Sequence, residues 1–148
     1  AIGQSAGTDN PVIVSYGAEG RRWADNALYM AHNTLINDNY AGKFLNVFTE
    51  KFGADVEVWL LNNLMVGNGD LNKPAQGRFD GNRLVARGDL IDFGGVPLRL
   101  TSQSPLRGAI RPPGLARGVE LLPDAEFHFP VGSRAMRPNS ALAPGAFQ

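Results

Sequence analysis

The residues best suited to chemistry are four arginines in a stretch that has no carboxylate. Between Asp92 and Glu120 the chain contains neither Asp nor Glu. The arginines of this stretch are Arg99, Arg107, Arg111 and Arg117. Guanidinium groups bind carboxylates and phosphates through paired N–H donors. The pattern therefore predicts a surface that interacts with an acidic partner.

A nucleic acid is one such partner, but the charge balance argues against it. The chain has 14 Lys and Arg against 14 Asp and Glu, a formal net charge of zero. Nucleic-acid-binding domains usually carry a clear positive excess. Arginine is also enriched in protein–protein interfaces, where lysine is depleted. We therefore expect no nucleic acid, although an accessory nucleic-acid-binding protein using the Arg-rich half stays as an alternative.

The glycine-rich stretch GNGDLN fits no cofactor or metal motif. It lacks the third glycine of a dinucleotide-binding fingerprint and the Gly-Lys-Ser/Thr ending of a phosphate loop. Asn68, Asp70 and Asn72 alternate as in a calcium loop, but Lys73 replaces the required glycine and Phe79 replaces the final glutamate. The sequence predicts no cofactor and no metal.

No nucleophile is recognisable beside either histidine. His32 and His128 lie far from any Gly-x-Ser-x-Gly pattern, and the chain has no cysteine. The tripeptide RGD at 87–89 is interpreted as a hairpin turn. We expect no enzyme. An enzyme or ligand-binding domain whose site is assembled from distant residues, such as a serine with His128 and Glu126, remains the alternative.

The elements that must position these residues begin with two predicted helices. From Trp23 to about Asn37, apolar residues recur at spacings of three and four, as on one face of a helix. A second such stripe runs from Tyr40 to Phe52 and includes Phe44 and Phe48. The two helices are expected to pair.

We predict short strands in the rest of the chain. VIVSY at 12–16, DVEVWLL at 55–61 and AEFHFPV at 125–131 are the clearest, and the last is expected to turn Glu126 and His128 outward. The fold class predicted is α+β, with an N-terminal helix pair and a small antiparallel sheet or barrel. Residues 1–130 form one domain with a short N-terminal arm in this interpretation.

The last residues, 131–148, are predicted to form an extended C-terminal arm. Pro138 and Pro144 oppose a regular helix. The segment nevertheless keeps three large apolar side chains, Met136, Leu142 and Phe147. Such scattered anchors suit a groove or sheet edge on another subunit.

Together these features predict a non-enzymatic structural subunit of a larger symmetric assembly. The most concrete form is a virion protein, a capsid decoration or cement protein of a bacterial virus. Its partners would be copies of itself, another structural protein, or both, and we expect a homo-oligomer. The sequence leaves the localisation open, and the virion follows only from the structural interpretation. No apolar run approaches the roughly 20 residues of a membrane span, so no membrane is expected.

Overall fold

The chain folds almost entirely into β-strands. The computed structural model describes residues 1–52, 56–93, 96–137 and 141–148. Within them the helical segments are a single α-helical turn, α1 (Thr49–Phe52), and a 3-10 turn at Arg87–Asp89. Nine strands come first: β1 (Ile2–Gln4), β2 (Val12–Tyr16), β3 (Ala27–Ala31), β4 (Thr34–Asn37), β5 (Lys43–Val47), β6 (Glu57–Leu61), β7 (Leu64–Gly67), β8 (Asp70–Asn72) and β9 (Arg83–Val85). Six more follow: β10 (Leu90–Phe93), β11 (Val96–Leu100), β12 (Leu115–Ala116), β13 (Val119–Glu120), β14 (Ala125–Phe127) and β15 (Ser133–Ala135).

The first nine strands build a three-sided parallel β-helix. Sheet A has the order β1-β4-β7-β9, sheet B has β2-β5-β8, and sheet C pairs β3 with β6. The chain passes through A, B and C in turn, and each strand pairs in parallel with its counterpart in the preceding turn. A parallel bridge between Trp59 and Arg78 extends sheet C into the third turn. Each turn therefore buries its apolar residues against its neighbours, as in other solenoids.

An apolar core fills the interior of the β-helix. In sheet A, Ile2, Leu35, Met65 and Leu84 stack in one column, which we call the sheet A column. Leu35 and Met65 belong to the core, whose other buried members are Met30, Phe44, Leu45, Val47, Phe52, Val56, Val58 and Leu60.

The bend between sheets C and A has the same conformation in each turn. The strand registers stack His32, Asn62 and Gly81, and all three have left-handed backbones, with φ of 54°, 57° and 69°. Asparagine is enriched in this region and glycine enters it freely. A Cβ on Gly81 would lie 2.0 Å from Oδ1 of Asn62. Glycine at the bend of the third turn therefore avoids a clash with the side chain of Asn62.

The residues that follow the bend, Asn33, Asn63 and Asn82, form a ladder of side-chain amides. The N–H of Asn33 donates to Oδ1 of Asn63 at 2.9 Å, and the N–H of Asn63 donates to Oδ1 of Asn82 at 3.1 Å. Nδ2 of Asn63 also donates to the main-chain oxygen of Met30 at 2.9 Å. Because Asn63 is buried, these bonds satisfy polar groups that water cannot reach.

The residues after β9 form a C-terminal layer that covers the outer face of sheet A and, at β12–β13, lies against sheet C. Three antiparallel hairpins make up much of it: β10–β11, β12–β13 and β14–β15. A second apolar cluster lies between this layer and sheet A, and its buried members are Ile36, Leu64, Val66, Leu90, Leu100, Ala143 and Phe147. The middle strands of sheet A are consequently buried on both faces, and all four residues of β4 are buried.

The α+β prediction is wrong, because both predicted helices are mainly strand. The first, from Trp23 to Asn37, contains β3, the bend at His32 and Asn33, and β4. The bend breaks the alternation of the two strands, so their apolar residues recur at helical spacings. Trp23 itself is 76% exposed.

The second predicted helix, from Tyr40 to Phe52, is β5 followed by the short α1. In β5, Phe44, Leu45 and Val47 are all buried, so the strand shows no alternation of apolar and polar residues. Tyr40, which the stripe places in a core, is 91% exposed.

The strand predictions agree with the structure more closely than the helix predictions do. VIVSY coincides with β2, and DVEVWLL contains β6. The strand predicted at 125–131 ends at Phe127, and Glu126, expected to face outward, is buried. Antiparallel pairing, expected for the whole β-rich half, occurs in the described residues only after β9.

Replacing Asn63 by Ala should lower the free energy of unfolding by about 2–4 kcal/mol. The change leaves the N–H of Asn33 without its buried acceptor and removes one donor from the carbonyl of Met30, and a buried group left unsatisfied costs about 1–3 kcal/mol. Urea denaturation followed by circular dichroism measures the effect. Asn68→Ala, at an exposed residue near the end of β7, is the control and should change little. Equal stabilities of the two variants would contradict the ladder.

Candidate functional site

The four predicted arginines occupy three separate places. Arg99 and Arg107 line one cavity, Arg111 lines a second cleft, and Arg117 lies over sheet C. The acid-free stretch therefore does not form the single basic surface that its sequence indicated.

Arg117 is neutralised by carboxylates of the β-helix. Its Nε and Nη2 donate to Oε2 of Glu57 at 3.0 and 2.8 Å, and its Nη1 donates to Asp25. The hydrogen bond from Arg117 lowers the pKa of Asp25. Tyr29 donates its hydroxyl to the same Glu57 oxygen at 2.8 Å. This cluster fastens the β12–β13 turn to sheet C and leaves Arg117 with its charge already balanced.

Arg111 lines a cleft of about 480 Å³ at the corner of the β-helix. Arg78, Arg83 and Asp80 line the same cleft, so its charges are mixed. The main-chain oxygen of Arg111 accepts a hydrogen bond from Nδ2 of Asn62 at 2.8 Å, which joins the loop to the bend.

Arg99 and Arg107 meet two further arginines that the sequence did not single out. Arg134 and Arg137 complete a cavity of about 250 Å³, together with Glu126. The four arginines come from β11, the loop after it, and the segment from β15 onward. We call this the arginine cavity.

The three predicted apolar anchors make contacts within this chain. Phe147 is 6% exposed and packs edge-on against Phe127, with ring centroids 5.5 Å apart. Leu142 and Met136 are half-buried. Their main chains bond to Gly108 and Asp124, at 2.8 and 2.9 Å.

Residues 141–148 therefore pack onto their own β-helix. The N–H of Gly145 donates to the main-chain oxygen of Asn62 at 2.8 Å, and the N–H of Ala146 donates to Oγ1 of Thr34 at 2.9 Å. Pro138, which supported the extended arm, lies outside the described residues. Phe147, which the sequence assigned to a neighbouring subunit, is therefore buried within its own chain, whereas Met136 and Leu142 are only half-buried.

His32 connects the Arg111 cleft with the arginine cavity. Nδ2 of Asn62, a residue lining the cleft, lies 3.2 Å from Nε2 of His32. Nε2 of Gln148, which lines the arginine cavity, lies 3.4 Å from Nδ1. Burial lowers the pKa of His32, and hydrogen bonds with the backbone of Ala143 and Gly145 oppose this only in part. The folded chain therefore favours the neutral imidazole.

The last turn of the β-helix ends in an open strand edge. Among the described residues, no strand pairs with β9 on the side away from β7. Along the sheet A column, Ile2, Leu35, Met65 and Leu84 are 44%, 1%, 6% and 62% exposed. The interior of the β-helix is thus closed in its middle turns and meets solvent at Leu84.

The remaining motifs lie on the surface. Arg87, Gly88 and Asp89 are exposed in the 3-10 turn, where Arg87 pairs with Asp38. His128 is exposed. No group of three or more His, Asp or Glu in the described part of the chain could hold a metal ion. Within the same residues, no helix has the length and apolar character to cross a membrane.

Comparisons of the chain with protein-family models, with curated proteins and with solved structures found no match.

Duplex DNA should not bind, because the predicted arginines are divided among three sites and Arg117 is already paired. Fluorescence anisotropy of a labelled duplex at low salt is the measurement. Binding whose log affinity falls by about 0.9 per neutralised phosphate as log salt rises would contradict this expectation.

Acidification should destabilise the chain through His32. The unfolded histidine, with its ordinary pKa of 6.5, binds a proton more readily than the buried one. The free energy of unfolding therefore falls as the pH drops below that value, by at most about 1.4 kcal/mol per pH unit. His32→Asn should remove this part of the dependence and still suit the left-handed bend.

Urea denaturation at about pH 7.5 and about pH 5.5, on either side of the ordinary histidine range, measures the difference. His128→Asn, at an exposed position, is the matched control and should keep the wild-type dependence. An unchanged dependence in His32→Asn would show that His32 is not its source.

Proposed function

We propose that the chain is a non-enzymatic structural module that associates with a second copy of itself through the last turn of its β-helix. The observation that carries the proposal is the 62% exposure of Leu84 at the end of a column whose middle members are buried. An exposed apolar residue at the end of a core column is stabilised when a further strand packs on it and buries its apolar surface.

The backbone of β9 supports the same surface. The N–H of Arg83 donates to the main-chain oxygen of Asn63 at 2.9 Å, toward β7. Successive N–H groups of a strand point to opposite sides, so the N–H of Leu84 points toward the open edge. A free edge of this kind is a template for another strand.

A second copy is the occupant that suits this edge. Two β9 strands related by a two-fold axis run antiparallel, so each supplies the donors and acceptors that the other lacks. The two Leu84 side chains then cover each other and close the interior of both β-helices. The proposal moves the assembly contact from the C-terminal segment, whose Phe147 is buried within this chain, to β9.

A capsid decoration or cement protein of a bacterial virus remains the most concrete form of this proposal. The neutral charge suits a structural role, and the Gly-x-Ser-x-Gly pattern at residues 3–7 leads from β1 into a turn and not into the helix that follows a nucleophile elbow. In that setting, a second copy would join two decoration subunits to each other.

Leu84→Asp should convert a dimer into a monomer. Light scattering across a dilution series should give twice the chain mass of 15.9 kDa for the wild type and the single mass for the variant. The reason is that a carboxylate buried between two strand edges loses its hydration without a partner. Leu115→Asp, at a leucine that is 58% exposed in the C-terminal layer, is the matched control and should remain dimeric.

Spin labelling tests the same contact without disturbing the edge by a charge. The chain has no cysteine, so Leu84→Cys and Leu115→Cys each carry one labelling site. The label pair at position 84 should show the shorter distance between copies. A monomeric wild type, or labels at 84 that show no coupling between copies, would rule the proposal out.

A further inference from the structure

His32 is buried at the bend between sheets C and A and has polar partners on both sides of its ring. The residue is 4% exposed. On one side, Nε2 lies 3.2 Å from Nδ2 of Asn62. On the other side, the ring forms hydrogen bonds with the backbone of Ala143 and Gly145. The two ring nitrogens of a histidine are distinct, and their partners decide which one carries the proton.

The side-chain amide of Asn62 fixes the tautomer of His32. Nδ2 of Asn62 also donates to the main-chain oxygen of Arg111 at 2.8 Å, so this amide nitrogen serves two acceptors. Nε2 of His32 therefore carries a lone pair, and the proton of the neutral ring is on Nδ1. From there it donates to the carbonyl oxygens of Ala143 and Gly145. The neutral ring thus satisfies the partners on both sides at once.

A second proton on the ring disturbs the Asn62 side of this arrangement. The imidazolium donates from both nitrogens, so Nε2–H then points at the N–H groups of Asn62. A buried charged donor without an acceptor is costly. The amide of Asn62 can supply an acceptor by turning over and presenting Oδ1 to the ring. The main-chain oxygen of Arg111 then faces an oxygen in place of its N–H donor, and its hydrogen bond with Asn62 is lost.

The C-terminal side of the ring keeps its contacts in both protonation states. Nδ1–H still donates to the carbonyl oxygens of Ala143 and Gly145 after the second proton binds. Nε2 of Gln148 donates to the same two oxygens at 2.9 and 3.0 Å. The N–H of Gly145 bonds to the main-chain oxygen of Asn62, which the turning of the side chain does not move. Protonation therefore acts on the segment at Arg111 and not on residues 143–148.

The bond that is lost helps to hold one wall of the Arg111 cleft in place. Residues 109–113, which we call the Arg111 loop, all line this cleft of about 480 Å³. The loop lies against the β-helix through the bond from Asn62 to Arg111 and through a bond from Nη2 of Arg78 to the main-chain oxygen of Pro113 at 3.3 Å. Loss of the shorter bond frees the middle of the loop, so the cleft can widen beside Asn62.

The charged groups around His32 lie beyond its direct partners. Those that line the Arg111 cleft, on the Asn62 side, are Arg78, Asp80, Arg83 and Arg111. Those that line the arginine cavity, on the Gln148 side, are Arg99, Arg107, Glu126, Arg134 and Arg137. Within the described residues, no carboxylate bonds to the ring itself, and burial is the largest influence on its protonation. Access of water therefore decides how readily His32 takes up a proton.

We infer that a proton on His32 opens the Arg111 loop, so that the Arg111 cleft widens in mildly acidic solution. Burial in the closed form lowers the pKa of His32, and water entering the widened cleft restores part of its ordinary affinity for protons. Falling pH therefore favours the open form, and the ratio of open to closed chains rises by at most about tenfold per pH unit. This regulation is independent of the association through β9.

A spin label on the Arg111 loop tests the inference in the full chain. The chain has no cysteine, so Ala109→Cys, at an exposed position, carries one nitroxide. Its electron paramagnetic resonance spectrum should become more mobile between about pH 7.5 and about pH 5, with a midpoint below the ordinary histidine pKa of 6.5. A label at Leu115→Cys, exposed in β12 outside the loop, is the control and should not change. Constant mobility at position 109, or an equal change at position 115, would overturn the inference.

Three further substitutions, each combined with the label at position 109, assign the effect to His32. His32→Asn has no titrating ring and should lose the pH response, whereas His128→Asn, at an exposed position, should keep it. Asn62→Asp places carboxylate oxygens where the amide donates to Arg111, so its label should already be mobile at about pH 7.5.

Thermal melting at each pH shows that the labelled variants are folded. A pH response that persists in folded His32→Asn would show that another group opens the loop. An immobile label in folded Asn62→Asp at neutral pH would show that the bond from Asn62 does not hold the loop. Either result would contradict the inference and leave the association through β9 unaffected.

Discussion

The structure depends on stacking the same bend directly above itself. Parallel turns can pair in register only if the chain turns from sheet C to sheet A at the same point each time, and His32, Asn62 and Gly81 supply that point with left-handed backbones. The adjacent ladder of Asn33, Asn63 and Asn82 connects one turn to the next by amide hydrogen bonds. Without this bend, the interior column and the sheet edges would lose their alignment.

The same bend also holds the C-terminal layer. The main-chain oxygen of Asn62 accepts a hydrogen bond from the N–H of Gly145. The side-chain amide of Asn62 donates to the main-chain oxygen of Arg111. A Cβ on Gly145 would lie 2.7 Å from Oγ1 of Thr34, so the chain lies closely against the start of β4. The layer thus covers the outer face of sheet A with residues that, in the sequence, look like an arm for a neighbour. It also brings Arg134 and Arg137 beside Arg99 and Arg107.

Short buried strands explain why only part of the fold was predictable from the sequence. The strand β2 was recognisable because β-branched residues lie between Pro11 and Gly17. In β4 and β5 both faces are buried, so apolar residues follow one another and resemble a helical stripe. The repeat was hidden because the turns differ in length: Leu35 to Met65 spans 30 positions and Met65 to Leu84 spans 19.

The candidate sites were harder still to foresee. The acid-free stretch pointed to Arg99 and Arg107, but their meeting with Arg134 and Arg137 depends on how the hairpins pack. The exposure of Leu84 follows from its place in the last turn, and a leucine between Arg83 and Val85 reads as an ordinary strand residue. Local patterns indicated which residues could interact, whereas stacking and layering decide which ones meet.

Amide hydrogen exchange at Leu84, followed at increasing protein concentration, tests most directly whether the edge of β9 joins two copies. The N–H of Arg83 already pairs with Asn63 and should exchange slowly at every concentration. The account predicts that exchange at Leu84 slows as the concentration rises, because its N–H then donates to the second copy. An exchange rate at Leu84 that is fast and independent of concentration would contradict it.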